Sequence, residues 1–312
     1  MIKHLKARSI NINLEDELIL YAEGEESNCI HLRTTNSIMK CTIIEQKTRR
    51  IKVNIENEYE GIYKYFHVTT VGVVRQKNDG SVFIDNVNIS DFYPRYLIIT
   101  SCLVDTRDNN INFLWLCSTT GRIDRIMVIN KKVYEVGMLS LIKVAPFIEG
   151  LNFCQRIENN FVLCRTTTCI ITINAKTFQI QTVFTLFGFE DNRLNLPITY
   201  MEILDQIYGV FNHNREIYFL NPECDNISSF SLSEKSYDEK EMIIGINAFK
   251  RLYLLISFIS GKIIMLNALT RQEKLLTIIK DVNPINRYNL ILTRDYIFAV
   301  SFNSINYIML PK

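Results

Sequence analysis

Glycine and proline are scarce in this chain, with 11 and 6 among 312 residues. Collagen-like and low-complexity architectures are excluded on that ground. Turns must instead rely on Asn, Asp, Ser and Thr, whose short side chains bond to nearby backbone. Neither sign of charge dominates: 35 Lys and Arg face 33 Asp and Glu, a net charge of +2. That is no electrostatic footprint for nucleic acid or an anionic membrane. Long hydrophobic runs are missing too. The most apolar segment, LYLLISFISGKIIML (252–266), is broken by Gly261 and Lys262 and is too short to cross a bilayer as a helix. The opening MIKHLKARSININLED has no apolar stretch of leader length behind its charges. These absences lead to the expectation of an intracellular protein, cytoplasmic or nuclear.

Catalytic signatures are equally scarce. There is no GxSxG elbow, GxxxxGK[ST] loop, GxGxxG turn or HExxH helix. The four histidines, His4, His31, His67 and His213, have no metal-ligand spacing. His31 and His67 read as packing or surface residues within strands, and His213 as a solvated turn residue. The acidic clusters EGEE (23–26), EDN (190–192) and DEKE (238–241) read as solvated loops. Eight cysteines are scattered, most inside apolar runs, where a free thiol behaves as a small hydrophobe. Cys164 and Cys169 are expected to face each other across a tight hairpin. The chain is therefore read as non-catalytic, with no cofactor and no metal.

What is abundant is β-forming sequence: 18 Phe, 15 Tyr and many Ile, Val and Thr. The stretch NNFVLCRTTTCIITINAKTFQIQTVFTL (159–186) divides into three short apolar runs separated by hairpin-length polar turns. LNFCQRIE (151–158) supplies another strand before them, giving four strands in about 36 residues. The same hairpin recurs with turns near 35, 78, 119, 167, 213, 260 and 303, a period of about 45 residues. A finer echo runs through IEQKTRR (44–50), INAKTFQ (173–179) and LNALTRQ (266–272). RQEKLLTIIKD (271–281), which has some helical character, then falls where a fourth strand is needed.

A four-stranded sheet repeated at this period predicts an all-β, seven-bladed β-propeller. The approximate blades are 13–57, 58–92, 93–142, 150–187, 198–232, 241–280 and 287–312. The last copy lacks a fourth strand, so residues 3–12 are expected to close blade seven. A pair of β-sandwiches and a clamp-like ring of sheets lined by helices are the rival folds. The third-strand signature resembles the WD40 blade: Ile173-Asn174 and Leu266-Asn267 stand where Trp-Asp would be, and Thr177 and Thr270 stand at the turn threonine. The chain departs from that family in having no Trp-Asp or Gly-His pair; its one Trp is Trp115. Apolar packing must then hold the blades.

The resemblance implies a scaffold that binds other protein subunits of a complex through rim loops. Three connections stand out. ISDFYPRY (89–96) offers Phe92, Tyr93, Arg95 and Tyr96; FGFEDNRLNLP (187–197) offers Phe187, Phe189 and Arg193; SEKSYDEKE (233–241) is almost wholly charged. Phe92 and Phe187 can also tuck into blade edges. Two other functions remain open: a phosphoinositide- or nucleic-acid-binding propeller, and a channel-mouth enzyme. Phe249-Lys250-Arg251-Leu252 resembles the Phe-Arg-Arg-Gly motif of phosphoinositide-binding propellers, departing at two of four positions.

Overall fold

The computed structural model describes residues 7–12, 14, 18–25, 29–45, 51–108, 111–141, 151–156, 161–166, 169–185, 198–203, 206–213, 216–221, 227–233, 241–279, 289–293, 296–301 and 304–310. Among the described residues there are 28 strands in seven four-stranded antiparallel sheets, and no helix. The chain divides into two compact units, Ile62–Asn195 and the combination of Met1–Gly61 with Leu196–Lys312.

The Ile62–Asn195 unit holds three sheets, each built in chain order. The first comprises β6 (Tyr63–Thr69), β7 (Gly72–Lys77), β8 (Val82–Ile84) and β9 (Val87–Asn88). The second comprises β10 (Ile99–Asp108), β11 (Ile111–Ser118), β12 (Arg122–Ile129) and β13 (Lys132–Ser140). The third comprises β14 (Leu151–Arg156), β15 (Phe161–Thr166), β16 (Cys169–Asn174) and β17 (Gln179–Thr185). One core joins the first two sheets through Val74, Ile84, Tyr93, Leu114, Leu116 and Ile126. A second core joins the last two through Trp115, Cys117, Ile123, Cys164, Ile171 and Ile173. The middle sheet thus buries apolar side chains on both faces, which is why NFLWLCS reads as an unbroken apolar run rather than an alternation.

The other unit holds four sheets. Three follow chain order: β2 (Ile19–Glu25), β3 (Cys29–Thr34), β4 (Ser37–Glu45) and β5 (Ile51–Glu60); β18 (Ile198–Ile203), β19 (Gln206–His213), β20 (Glu216–Leu220) and β21 (Ile227–Ser231); β22 (Ile243–Phe249), β23 (Tyr253–Phe258), β24 (Lys262–Asn267) and β25 (Glu273–Ile278). The fourth is ordered β1 (Arg8–Asn11), β28 (Ser304–Met309), β27 (Tyr296–Val300), β26 (Asn289–Leu292). The N-terminal strand therefore completes the C-terminal sheet, with Arg8 opposite Tyr307 and Asn11 opposite Ser304. In the β22–β25 sheet, Leu254, Ile256, Phe258 and Leu266 belong to one core, while Leu255, Ile263, Met265 and Leu276 belong to another. Within the segment 271–281, Glu273–Ile278 form β25, a strand and not a helix.

The repeated turn has a local cause. Asn174 Oδ1 accepts the backbone N–H groups of Lys176 (2.9 Å) and Thr177 (3.0 Å). Asn267 Oδ1 accepts those of Leu269 (3.0 Å) and Thr270 (2.9 Å). In both turns the residue after the threonine enters the left-handed region, Phe178 at φ 56° and Arg271 at φ 58°. Asparagine side chains thus do the work that glycine does elsewhere.

Three sequence expectations need correction. Cys164 and Cys169 do not face each other: Cys164 pairs with Ile171 and Cys154, and Cys169 with Thr185. β15 ends at Thr166 and β16 begins at Cys169, so the two cysteines fall out of register. His213 is not a turn residue but the last residue of β19, opposite Glu216. Tyr93, expected to be presented to partners, is 1% exposed and lies in the core between the first two sheets of its unit.

Candidate functional site

The best-defined exposed feature of the Ile62–Asn195 unit is the connection between β9 and β10. Burial splits its aromatic residues. Tyr93 turns inward and Phe92 packs partly buried against the same core. Tyr96 is 81% exposed, and Arg95 is exposed beside it. Burial, with the Asp124 carboxylate nearby, pushes the Tyr93 phenol well above its ordinary value. Phe187, Phe189 and Arg193 lie outside the described residues, as does most of SEKSYDEKE.

The loop is held from below. Gln76, fully buried on β7, donates from Nε2 to the Leu97 carbonyl (2.7 Å) and accepts the Ile99 N–H at Oε1 (3.0 Å). The Ser90 hydroxyl oxygen accepts the Val82 N–H (3.0 Å). Within the loop, the N–H groups of Phe92 and Leu97 donate to the Ile89 and Pro94 carbonyls, each at 3.0 Å. Gly80, in the β7–β8 turn, has φ +89°, and a Cβ there would sit 2.0 Å from the Arg95 carbonyl oxygen. Only glycine permits that approach. These contacts tie a connection without regular structure to the strands below it.

Ile62 is 56% exposed and Ile98 is 42% exposed, at equivalent positions just before the first strands of adjacent sheets. Their carbonyls accept the N–H groups of Asn78 (3.2 Å) and Thr119 (3.1 Å), which places the two turns at the same end of the unit. Arg122 forms a two-pronged ion pair with Asp124, with Nε to Oδ2 at 2.9 Å and a terminal nitrogen to Oδ1 at 2.6 Å. That contact shifts the guanidinium upward, with the Tyr96 and Tyr93 side chains adding to it. Burial raises the Asp124 carboxyl and Arg122 offsets this in part. Asp79 is held below the usual carboxylate value, chiefly by the Ser81 N–H and also by Lys77 and Arg95.

A second arrangement escaped the sequence reading. Cys29 and His31 stand two apart on β3, so they share a face of the β2–β5 sheet. His31 Nδ1 lies 2.9 Å from Glu58 Oε2, and His31 Nε2 lies 3.8 Å from Cys29 Sγ. Both β3 residues are buried, His31 at 2% and Cys29 at 3% exposure. Burial alone would lower the His31 value; hydrogen bonds to Cys29 and Glu58 and their charges outweigh it and bring it to about 10. Cys41 differs. It pairs with Ile30, on the other face, and burial together with Cys29 raises its thiol to about 12. The spacing of Cys29 and His31 was legible. Glu58 was not, because it reaches His31 only through a bulge: β5 skips it between the Met39–Asn57 and Ile38–Tyr59 pairs. Bulges re-aim side chains in this way.

Cys164 and Cys169 are both buried free thiols, and no group of three metal-ligating side chains occurs among the described residues. Lys250 sits in a turn at φ 51°, its Nζ 5.3 Å from the Phe249 ring.

No family model matches the chain, and no curated protein does. The WD40 resemblance therefore stays at the level of the repeat and the turn residues. Among solved structures, the chain is similar to the extracellular domain of the hybrid two-component system BT4673 from B. thetaiotaomicron, with TM-score 0.61 and 12% identity over 98% of this chain and 43% of that one. A second structure, of the extracellular domain of BT4673 as a one-component system, gives TM-score 0.59 and 12% identity over 100% of this chain and 44% of that one. The chain thus spans less than half the length of either. At this identity the likeness shows the fold alone. The intracellular expectation is corrected on this point: both neighbours are extracellular domains. Buried thiols and the N-terminal sequence do not place the chain inside it.

Proposed function

We propose that the seven sheets close into a seven-bladed propeller, clasped where β1 completes the C-terminal sheet, and that the chain is a non-catalytic platform for protein partners. Partners dock on the β9–β10 connection and the turns beside it, with Tyr96 as the anchor. Within each unit, successive sheets share cores in the order of the chain, which supports a circular plan. The observation that carries the functional reading is Tyr96, 81% exposed on a loop fixed by Gln76 and Gly80. Large aromatics held rigidly beside arginine and aliphatic residues are the composition of interface hot spots.

A photo-crosslinking amino acid at position 96 tests this, with position 132, the first residue of β13 at the far end of the β10–β13 sheet, as control. The expected result is one predominant cross-linked protein from position 96 and none from 132, with the adduct lost when Ile62 and Ile98 are both replaced by Asp. Equal cross-linking at both positions, or purification of the native protein alone, overturns the reading.

A further inference from the structure

The β2–β5 sheet has two unlike faces. One carries Ile30, Leu32, Met39, Cys41 and Ile43 into an apolar core. The other carries Cys29 and His31 with Glu23 opposite His31 on β2, Lys40 opposite it on β4, and Glu56 opposite Lys40 on β5. Tyr21 and Arg33 pair with each other two residues further along, and Tyr21 donates to Glu23 (3.1 Å). A buried polar face is costly unless its groups are matched. Here the match is ordered: carboxylate to imidazole at 2.9 Å, imidazole to sulfur at 3.8 Å. This is the order in which nucleophilic thiols are supported elsewhere: a base or cation beside the sulfur, itself oriented by a third group.

We propose that Cys29 is a nucleophilic thiol supported by His31 and Glu58, and that it undergoes thiol–disulfide exchange with small-molecule disulfides. Glu58 accepts the Nδ1 hydrogen and fixes the ring, so Nε2 is the nitrogen turned to the sulfur. A cation beside a sulfur supports its reaction as a nucleophile. In the exchange, the Cys29 sulfur attacks one sulfur of the external disulfide. The external S–S bond breaks and a Cys29 mixed disulfide forms. The departing thiolate carries the electron pair away and takes a proton from solvent. The external disulfide is the oxidant, and His31 remains paired with Glu58. Cys29 is 3% exposed, so the exchange proceeds through local opening of β2, an edge strand next to β3.

Cys41 is the internal control. It sits on the neighbouring strand, buried like Cys29, but on the face without histidine. Melting of the whole sheet exposes both thiols and labels them alike. The intact chain is treated at pH 7 with limiting iodoacetamide, and separately with glutathione disulfide, and each cysteine is quantified by peptide mass spectrometry. Support by His31 is expected to label Cys29 about tenfold or more faster than Cys41. Glutathione should appear on Cys29 first. His31→Asn should lower the ratio about tenfold, and Glu58→Gln should lower it several-fold. A ratio near one in the unsubstituted chain overturns the proposal without reference to any variant. So does failure of Cys29 to take up glutathione, or retention of the full ratio in a folded H31N protein.

Discussion

Arg125 gives the sharpest test of how the sheets of the Ile62–Asn195 unit are joined. It lies mid-strand on β12, opposite Trp115, and is 5% exposed. Its guanidinium carbon is 4.2 Å from the centre of the Phe113 ring, 5.4 Å from Phe178 and 5.7 Å from Trp115. Phe178 comes from the turn after β16, in the next sheet, and meets Trp115 edge-on at 5.0 Å. The cation is therefore sheathed by rings from two sheets. A desolvated cation–ring contact contributes about 2 kcal/mol, and burying a charge can cost as much or more. Two substitutions separate these effects. Arg125→Met keeps the length of the side chain and removes the charge, so it should cost about 2 kcal/mol if the ring attraction wins. Arg125→Ala also loses the stem and leaves a cavity, for about 3–5 kcal/mol. Urea titration followed by tryptophan emission reads both. An R125M protein as stable as the unsubstituted chain, or more so, would show that desolvation cancels the attraction and would refute the reasoning.

Other perturbations follow from the same structure. Removing residues 1–12 strips β1 from the C-terminal sheet and takes out buried Ile12 and partly buried Ile10, about 3–6 kcal/mol at the usual value for an isoleucine. Denaturant unfolding should shift as a whole; an unchanged midpoint would contradict it. Gln76→Ala leaves the Leu97 carbonyl and Ile99 N–H without their side-chain partner, for about 2–4 kcal/mol. Hydrogen exchange should then accelerate at Ile99, and undisturbed protection there would count against the pinned-loop account. The His31 value is higher folded (about 10) than unfolded (6.5), so its contribution is fully present below about pH 6.5 and is lost as pH rises through about 10. Stability measured at pH 6 and pH 10 should fall by less in Glu58→Gln than in the unsubstituted chain, and an identical fall in both would sink the assignment.

Much of the strand layout could be read in advance because burial on two faces leaves a plain trace. LWLC (114–117) is an unbroken apolar run whose members enter two cores alternately, and the Asn-x-x-Thr echo marks turns that Asn174 and Asn267 close with the same hydrogen bonds. The site was less legible. Tyr93 and Tyr96 sit in one aromatic cluster, and nothing local says that one is core and the other exposed. That is decided by Gln76, more than a dozen residues away in sequence, and by Gly80 beneath the Arg95 carbonyl. Arg125 is hidden in RIDRIMVI, where a charged residue suggests a solvated face. Glu58 reaches His31 through a skipped register position, and no periodicity announces a bulge.

The lone Trp115 has a practical consequence. With its side chain fully enclosed between two sheets of the Ile62–Asn195 unit, its emission is a lamp hung in one half of the molecule. The half that contains both chain ends carries no such lamp and is optically silent by this probe. Indole emission reports on the surroundings of Trp115, and tyrosine signals or backbone dichroism report on the four sheets without tryptophan.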